Sequence, residues 1–447
     1  MQYLFSLRWT RRFVVEFAMV SVLLLIMAPL AACGGGGGSS SPGSSSPSSG
    51  PVNLTFWSWV TGVDKSVALW NSSHPNIQVT VTNVGAGPAE YNKLYTAIKA
   101  NNEPDLGQVE FQLLPTFETT GGLLDIAPYG AASVKNDFPG WMWTQVTNGS
   151  SIYAIPQDSG PMSLFYRADV FKKYNLPVPT TWAQYADDAA KLHAANPNDY
   201  ITDFPPKNPG QFSGYAWQAD AHWFAVNGQS WKVSINDAPT LQVASFWQNL
   251  LSKKLVKTET DFTNGWYNDL QTGALATWMT GAWGAGIIEG NAPKSSGDWR
   301  VAPLPQWQAG GTANGDWGGS TTVVFNDSKH PKEATEFAEW ISANEQSAIQ
   351  EFTTGAYPAL LSALSSSAVN SPQPFFGDQV INQVFQQGAT QVNENFTWGP
   401  TMDQVYSDMG NDFANAVNGQ GTLSDALNAV QQSTLTFMKA QGFSVST

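Results

Sequence analysis

Residues 54–62 read LTFWSWVTG and set Trp57 and Trp59 on either side of Ser58, just before a polar Thr-Gly turn. Residues 52–60 as a whole predict a buried strand. Residues 76–84, NIQVTVTNV, alternate with Ile77, Val79 and Val81 on one face and Gln78, Thr80 and Thr82 on the other, which predicts a second strand. The segment between them, with Val67, Ala68 and Trp70, predicts a short helix. Pro88 then opens a helix whose Tyr91, Leu94, Tyr95 and Ile98 fall at one apolar stripe. Leu106–Phe111 predicts a third strand. Strands alternating with helices predict an α/β sheet with crossover connections. Two tryptophans at a strand terminus are then either core or a binding surface beyond the strand's carboxyl end, where open α/β sheets hold ligands.

The pattern recurs further along. Thr180 and Thr181 precede a helix with Trp182, Tyr185, Ala186, Ala189 and Leu192 on one side, residues 321–325 read as a strand, and Pro331 opens a helix with Ala334, Phe337, Ala338 and Ile341 inward. Thr422 and Asp425 have capping-box spacing ahead of a helix carrying Leu427, Val430 and Phe437.

The first 32 residues have a different plan. Arg8, Arg11 and Arg12 precede an apolar run that is strongest over residues 22–30 and ends in small residues, the layout of a secretory signal. Glu16 and Pro29 count against a transmembrane helix of ~20 apolar residues. Export by the general secretory or the twin-arginine route stays open. Cys33, the single cysteine, excludes an internal disulfide. Its place after Leu30, Ala31 and Ala32 resembles the lipobox of bacterial lipoproteins, which implies acylation of the Cys33 thiol and a lipid anchor on the extracytoplasmic face of the cell membrane. Residues 33–51 are otherwise Gly, Ser and Pro with almost no apolar side chains, and so predict a flexible tether. A folded body of about 395 residues follows, enough for two or three domains.

The chain carries −14, and without residues 1–32, which hold three Arg and one Glu, it carries −16. Such a body is repelled by nucleic acid and by anionic membrane surfaces. The four histidines are isolated from one another and no EF-hand loop occurs, so no metal or cofactor is expected. Gly284, Gly286 and Gly290 miss the dinucleotide spacing, and no serine has nucleophile-elbow glycines. A secreted glycoside hydrolase would need two carboxylates facing across a bond; Glu110, Asp158, Glu289 and Asp316 occupy suitable loop positions but cannot be paired from sequence. The strongest signal is 19 tryptophans beside only 13% charged residues. Several, among them Trp217, Trp223, Trp278, Trp283, Trp317 and Trp398, lie near glycines or element ends, as sugar-stacking rings do.

Several stretches together resemble the family 1 extracellular solute-binding proteins of ABC importers, the sugar-binding kind. They are LTFWSW (54–59), HPNIQVTV (74–81), PDLGQVE (104–110), GGLLDI (121–126), the run 153–176, PTTWAQYADDAAKL (179–192), ATWMTGAW (276–283), VAPLPQ (301–306), the glycine pair with its strand and helix (318–341), and AYP (356–358). The resemblance implies an α/β, two-lobed, type II periplasmic-binding-protein-like fold, each lobe a mixed sheet flanked by helices, with the ligand cleft between. It places lobe 1 at 52–161 plus 307–355 and lobe 2 at 162–306 plus 356–447. It implies a monomeric receptor, not an enzyme, that passes a mono- or oligosaccharide to a permease. Other small solutes (a glycerophosphodiester, a polyamine, a peptide) remain as alternatives. Matched position by position, it makes Trp59 a ligand contact with Trp57 packed beneath it, and Glu110 and Asp158 polar contacts. Trp283 becomes a stacking platform and Trp317 with Gly318 a cleft-lining loop. Trp223, Tyr357 and Trp398 are weaker matches. The segment after the first strand is short, which puts contacts from Asp64 and Lys65 in doubt.

Overall fold

The computed structural model describes residues 50–447, so the signal, Cys33 and nearly all of the tether lie outside the described residues. The alternation in residues 76–84 becomes a strand at Ile77–Thr82, parallel to Val52–Trp57, with Leu54 opposite Val79 and Phe56 opposite Val81. The crossover between them is the helix Val63–Ser73, which buries Val67 and Trp70. Trp70 meets Phe337 edge-on at 5.4 Å, and Phe337 meets Phe56 at 5.7 Å. Helix Pro331–Ala343, with its apolar stripe facing inward as predicted, therefore packs on the same core.

The first sheet runs Ile77–Thr82, Val52–Trp57, Leu106–Glu110, Ser320–Val324, Ala154–Pro156. The first three strands are parallel, and Ser320–Val324 enters antiparallel to both of its neighbours, with Ser320 opposite Glu110. The chain leaves this sheet after Pro156 and builds a second, antiparallel sheet with Met162–Arg167 between Thr277–Gly281 and Trp299–Pro303. It rejoins the first sheet at Ser320. A third, small sheet joins the hairpin Phe224–Asn227/Ser230–Val233 to Val445–Ser446 near the C-terminus. The helix at Leu423–Ala440 has the capping box predicted from Thr422 and Asp425.

The first strand ends at Trp57, earlier than the predicted 60, and the reason is a side chain. Gln108 Oε1 accepts from Trp59 N (3.1 Å), Val60 N (3.3 Å) and Ser58 Oγ (2.7 Å). These backbone groups are satisfied without a strand partner, so the chain bends away from the sheet. Gly62, at φ +81°, then turns it into the helix. Among the described residues no helix is long and apolar enough to cross a membrane.

Candidate functional site

The carboxyl ends of the parallel strands open onto a cavity of about 630 Å³. Trp59, Gln108, Glu110, Asp158 and Ser320 line it from the first sheet. Asn208, Phe262, Trp283 and Asn291 line it from the opposite wall, and the loop Trp317–Gly319 closes one side. An adjoining cavity of about 740 Å³ shares Pro88, Glu110, Asn208 and Trp317 with it and adds Tyr91, Lys207, Asp403 and Tyr406.

A hydrogen-bond chain fixes the first wall. Beyond its contacts with the first strand's end, Gln108 donates from Nε2 to Ser320 Oγ at 2.7 Å, and Ser320 donates from Oγ to Asp158 Oδ1 at 2.6 Å and also from its backbone N–H. Ser58, Gln108, Ser320 and Asp158 form one continuous network, which holds residues from four segments in register. Trp59 is half-buried and meets Tyr91 edge-to-face at 5.6 Å; Tyr91 Oη donates to Glu110 Oε2 at 2.7 Å. Burial raises the carboxyls of Glu110 and Asp158 above their ordinary values, against the opposing pull of these hydrogen bonds.

The other wall is aromatic. Trp283 caps the helix Gly284–Asn291 and donates from Nε1 to the carbonyl of Trp317 at 2.7 Å. The two rings sit 5.0 Å apart at 76°. Gly318 and Gly319 have φ of +86° and +82°, and a Cβ on Gly318 would come within 2.8 Å of Trp283 Nε1. The glycine pair is therefore what lets the loop lie against the ring. Phe262 packs on Trp266 at 5.4 Å and stands 41% exposed at the cleft edge, with φ +57°. That backbone conformation is costly for an aromatic residue. The neighbouring Asp261 holds it, accepting from Asn208 Nδ2 at 2.5 Å.

Six of the residues expected from sequence thus meet in one cavity: Trp59, Glu110, Asp158, Trp283, Trp317 and Gly318. Trp57, half-buried at the end of its strand, is not part of the lining. Neither Asp64 nor Lys65 reaches it. Three expected contacts lie elsewhere. Trp223 is 0% exposed, donates to Thr240 Oγ1 at 2.9 Å and packs on Phe396. Tyr357 is 2% exposed and donates to Asn382 Oδ1, while its carbonyl accepts from Ser159 N. Trp398 belongs to a different cavity. Of the four acids considered for hydrolysis, Glu110 and Asp158 line the cleft, Glu289 is exposed, and Asp316 is buried with its Oδ1 accepting from Gly160 N at 3.0 Å.

Gln108, Asn208, Phe262 and Asn291 were not anticipated. Gln108 was within reach of the sequence, since it stands two residues before Glu110 and so on the same strand face. Asn208 and Asn291 carry no comparable signal, and Phe262 owes its place to a left-handed backbone that no pattern announces. Among the described residues, no group of three or more His, Cys, Asp or Glu is placed to hold a metal ion.

Comparison with known proteins agrees with this architecture. Residues 58–348 match the bacterial extracellular solute-binding protein family. A lactose-binding protein of Rhizobium radiobacter is 24% identical over 361 residues, covering 76% of this chain and 82% of that protein. The galacto-N-biose-/lacto-N-biose I-binding protein of an ABC transporter from Bifidobacterium longum, solved with lacto-N-biose, superposes with a TM-score of 0.81 at 31% identity, covering 89% of this chain and all of that one. A binding protein associated with an ABC transporter from B. animalis subsp. lactis Bl-04, solved with β-1,6-galactobiose, gives 0.79 at 29% identity, with 89% and 100% covered. The fold is the two-lobed type II periplasmic-binding-protein-like one, with mixed α/β sheets. This chain belongs to the bacterial extracellular solute-binding protein family.

Proposed function

We propose that this protein is the extracytoplasmic receptor of an ABC importer and captures a neutral mono- or oligosaccharide in the cleft lined by Trp59 and Trp283. The observation that carries this reading is the make-up of the first cavity. Four rings, Trp59, Phe262, Trp283 and Trp317, supply flat apolar faces for sugar C–H groups. The amides of Gln108, Asn208 and Asn291 with Glu110 and Asp158 supply hydrogen-bond partners for hydroxyls. No Lys, Arg or His is among its lining residues, which disfavours a phosphate ester such as a glycerophosphodiester. The amides outnumber the two carboxylates, and both carboxylates already accept protein hydrogen bonds, which disfavours a polyamine.

The mechanism is binding rather than chemistry. The two walls, one from each proposed lobe, close on the sugar by hinge motion, and the closed form is what a permease engages. Acylated Cys33 and the tether hold the receptor near that permease at high effective concentration. The lobe assignments, 52–161 plus 307–355 and 162–306 plus 356–447, are part of this proposal.

Calorimetric titration with lactose, lacto-N-biose and β-1,6-galactobiose, beside spermidine and glycerophosphocholine, tests it. A saccharide is expected to bind and to raise the melting temperature, as any ligand selective for the native state does. Binding of spermidine or glycerophosphocholine alone would replace this reading. Trp283→Ala should weaken saccharide binding by about 1–3 kcal/mol. Phe262→Ala should also weaken it, with a smaller loss of melting temperature than a buried ring would cause, because the residue is 41% exposed. New reducing ends released from oligosaccharides, and lost in Glu110→Gln, would instead make the protein a hydrolase.

A further inference from the structure

A second cavity, of about 480 Å³, shares no lining residue with the cleft or its adjoining chamber. One side comes from the helix Leu114–Thr120 and the segment 144–153, the other from the hairpin Phe224–Asn227/Ser230–Val233, the loop 394–400 and Phe443. Gln145 ties the sides together, donating from Nε2 to the carbonyl of Phe396 at 2.9 Å. We propose that this cavity is a carbohydrate site in its own right, taking a neutral saccharide of one or two rings; this goes beyond the receptor function assigned to the cleft.

The chemistry of the walls carries the proposal. Tyr153 and Trp231 are half-buried rings facing a space whose lining contains no Lys, Arg or His. Charged ligands of negative sign therefore find no counter-ion there. Glu118 and Asn148, bonded to each other at 3.1 Å, supply acceptors and donors at the wall. Rings paired with the amides of Gln145 and Asn148 and the two carboxylates of Glu118 and Glu394 repeat the combination that also builds the cleft. Its volume lies within the ~300–1,000 Å³ of ordinary ligand pockets.

Trp398 adds an independent observation. It lines the cavity at 5% exposure, and its indole N–H has no acceptor in the protein. A buried donor left unmade is costly, and a small turn of this ring towards the cavity would offer the N–H to a sugar hydroxyl oxygen, an acceptor of the missing kind. At the rim, Val226 is 64% exposed on the edge hairpin, an aliphatic surface open to a ring's C–H face. The tryptophan expected from sequence to meet sugar in the cleft thus stands in a second cavity of the same chemical character.

The test uses the protein labelled with 5-fluorotryptophan and titrated with lactose and lacto-N-biose, observed by fluorine NMR. Trp231→Phe and Trp398→Phe assign two resonances. We expect both to shift with a midpoint of their own, and to keep shifting when the cleft is disabled by Trp59→Ala with Trp283→Ala. Trp231→Ala should weaken the second transition at least tenfold and leave the cleft titration unchanged. Tyr153→Ala gives the same readout should Trp231→Ala disturb the hairpin. Resonances that stay fixed at saturating saccharide overturn the proposal. So do resonances that move only in step with the cleft and fall silent in the cleft variant, which would make the cavity a gap that changes with lobe closure.

Discussion

Gly160→Ala is expected to unfold the cleft floor, costing stability and most saccharide affinity together. A Cβ at this position would lie 1.9 Å from the carbonyl oxygen of Trp317 and 2.7 Å from its carbonyl carbon. The obstacle is backbone, so no rotamer change relieves it, and the segments around 160 and 317 must separate. They are joined by two hydrogen bonds, Trp317 N to Gly160 O at 2.9 Å and Gly160 N to Asp316 Oδ1 at 3.0 Å. The same Trp317 carbonyl accepts the indole N–H of Trp283. One methyl group therefore displaces the loop that carries Trp317 and Gly318 and frees the Trp283 ring that lines the cleft. Overpacking of this kind costs about 1–3 kcal/mol or more, and a wall moved by an ångström no longer presents its rings in register with the sugar. Gly290→Ala is the control, because nothing lies within 4 Å of its Cβ and it sits in a helix. That change should be neutral or stabilising by up to ~1 kcal/mol. Thermal melts and titration with lacto-N-biose report both effects. A Gly160→Ala protein that melts and binds like the parent would show that this close approach does not hold the cleft together.

The same residues show where sequence reading succeeds. The parallel strands were legible from local pattern, the alternation of Ile77, Val79 and Val81 in one and short apolar runs in the other two. Glu110, Trp283 and the glycine pair were legible because short motifs fix them locally. The insertion of Ser320–Val324 between Leu106–Glu110 and Ala154–Pro156 was not, since strand pairing across some two hundred residues leaves no local mark. Trp59 and Trp223 illustrate the limit for side chains. Both are tryptophans close to an element end. Trp59 stays in the cleft because Gln108 satisfies its backbone and turns it out of the sheet. Trp223 is sealed by Phe396 and Trp398, which arrive from far along the chain. Burial of an aromatic is decided by its distant neighbours, and the composition around it does not contain them. Phe262 fails for another reason, because its exposure depends on a backbone conformation imposed by its surroundings.

Glu351→Gln should stabilise the protein at pH 8.5 and leave it almost unchanged at pH 5. Glu351 is buried in the helix Glu345–Phe352; its Oε2 accepts from Gln157 Nε2 at 3.1 Å, and its Oε1 has no partner. Burial pushes this carboxyl up to about 8, and the charge of nearby Asp158 pushes the same way, while the bond from Gln157 opposes them. The folded value is thus above the unfolded one of 4.5. A carboxyl of this kind stabilises the fold fully below the unfolded value, and that stabilisation is lost as pH rises from about 4.5 towards 8. Glu90 and Asp203, also buried and each raised to about 8 by burial, act in the same window and the same direction. The net negative charge adds self-repulsion as pH rises, so the parent's melting temperature alone does not isolate Glu351. The difference between variant and parent does. Each pKa unit corresponds to ~1.4 kcal/mol, so a displacement this large is worth on the order of a few kcal/mol between the two ends of the window. Glutamine keeps the size of the side chain and its bond to Gln157, with the amide oxygen as acceptor, but never has to ionise. Its advantage should therefore grow steadily from pH 5 to pH 8.5. Melting curves for variant and parent that stay parallel across that range would mean that Glu351 reaches water and ionises freely, and that the segment beneath Asp158 is more open than its packing indicates.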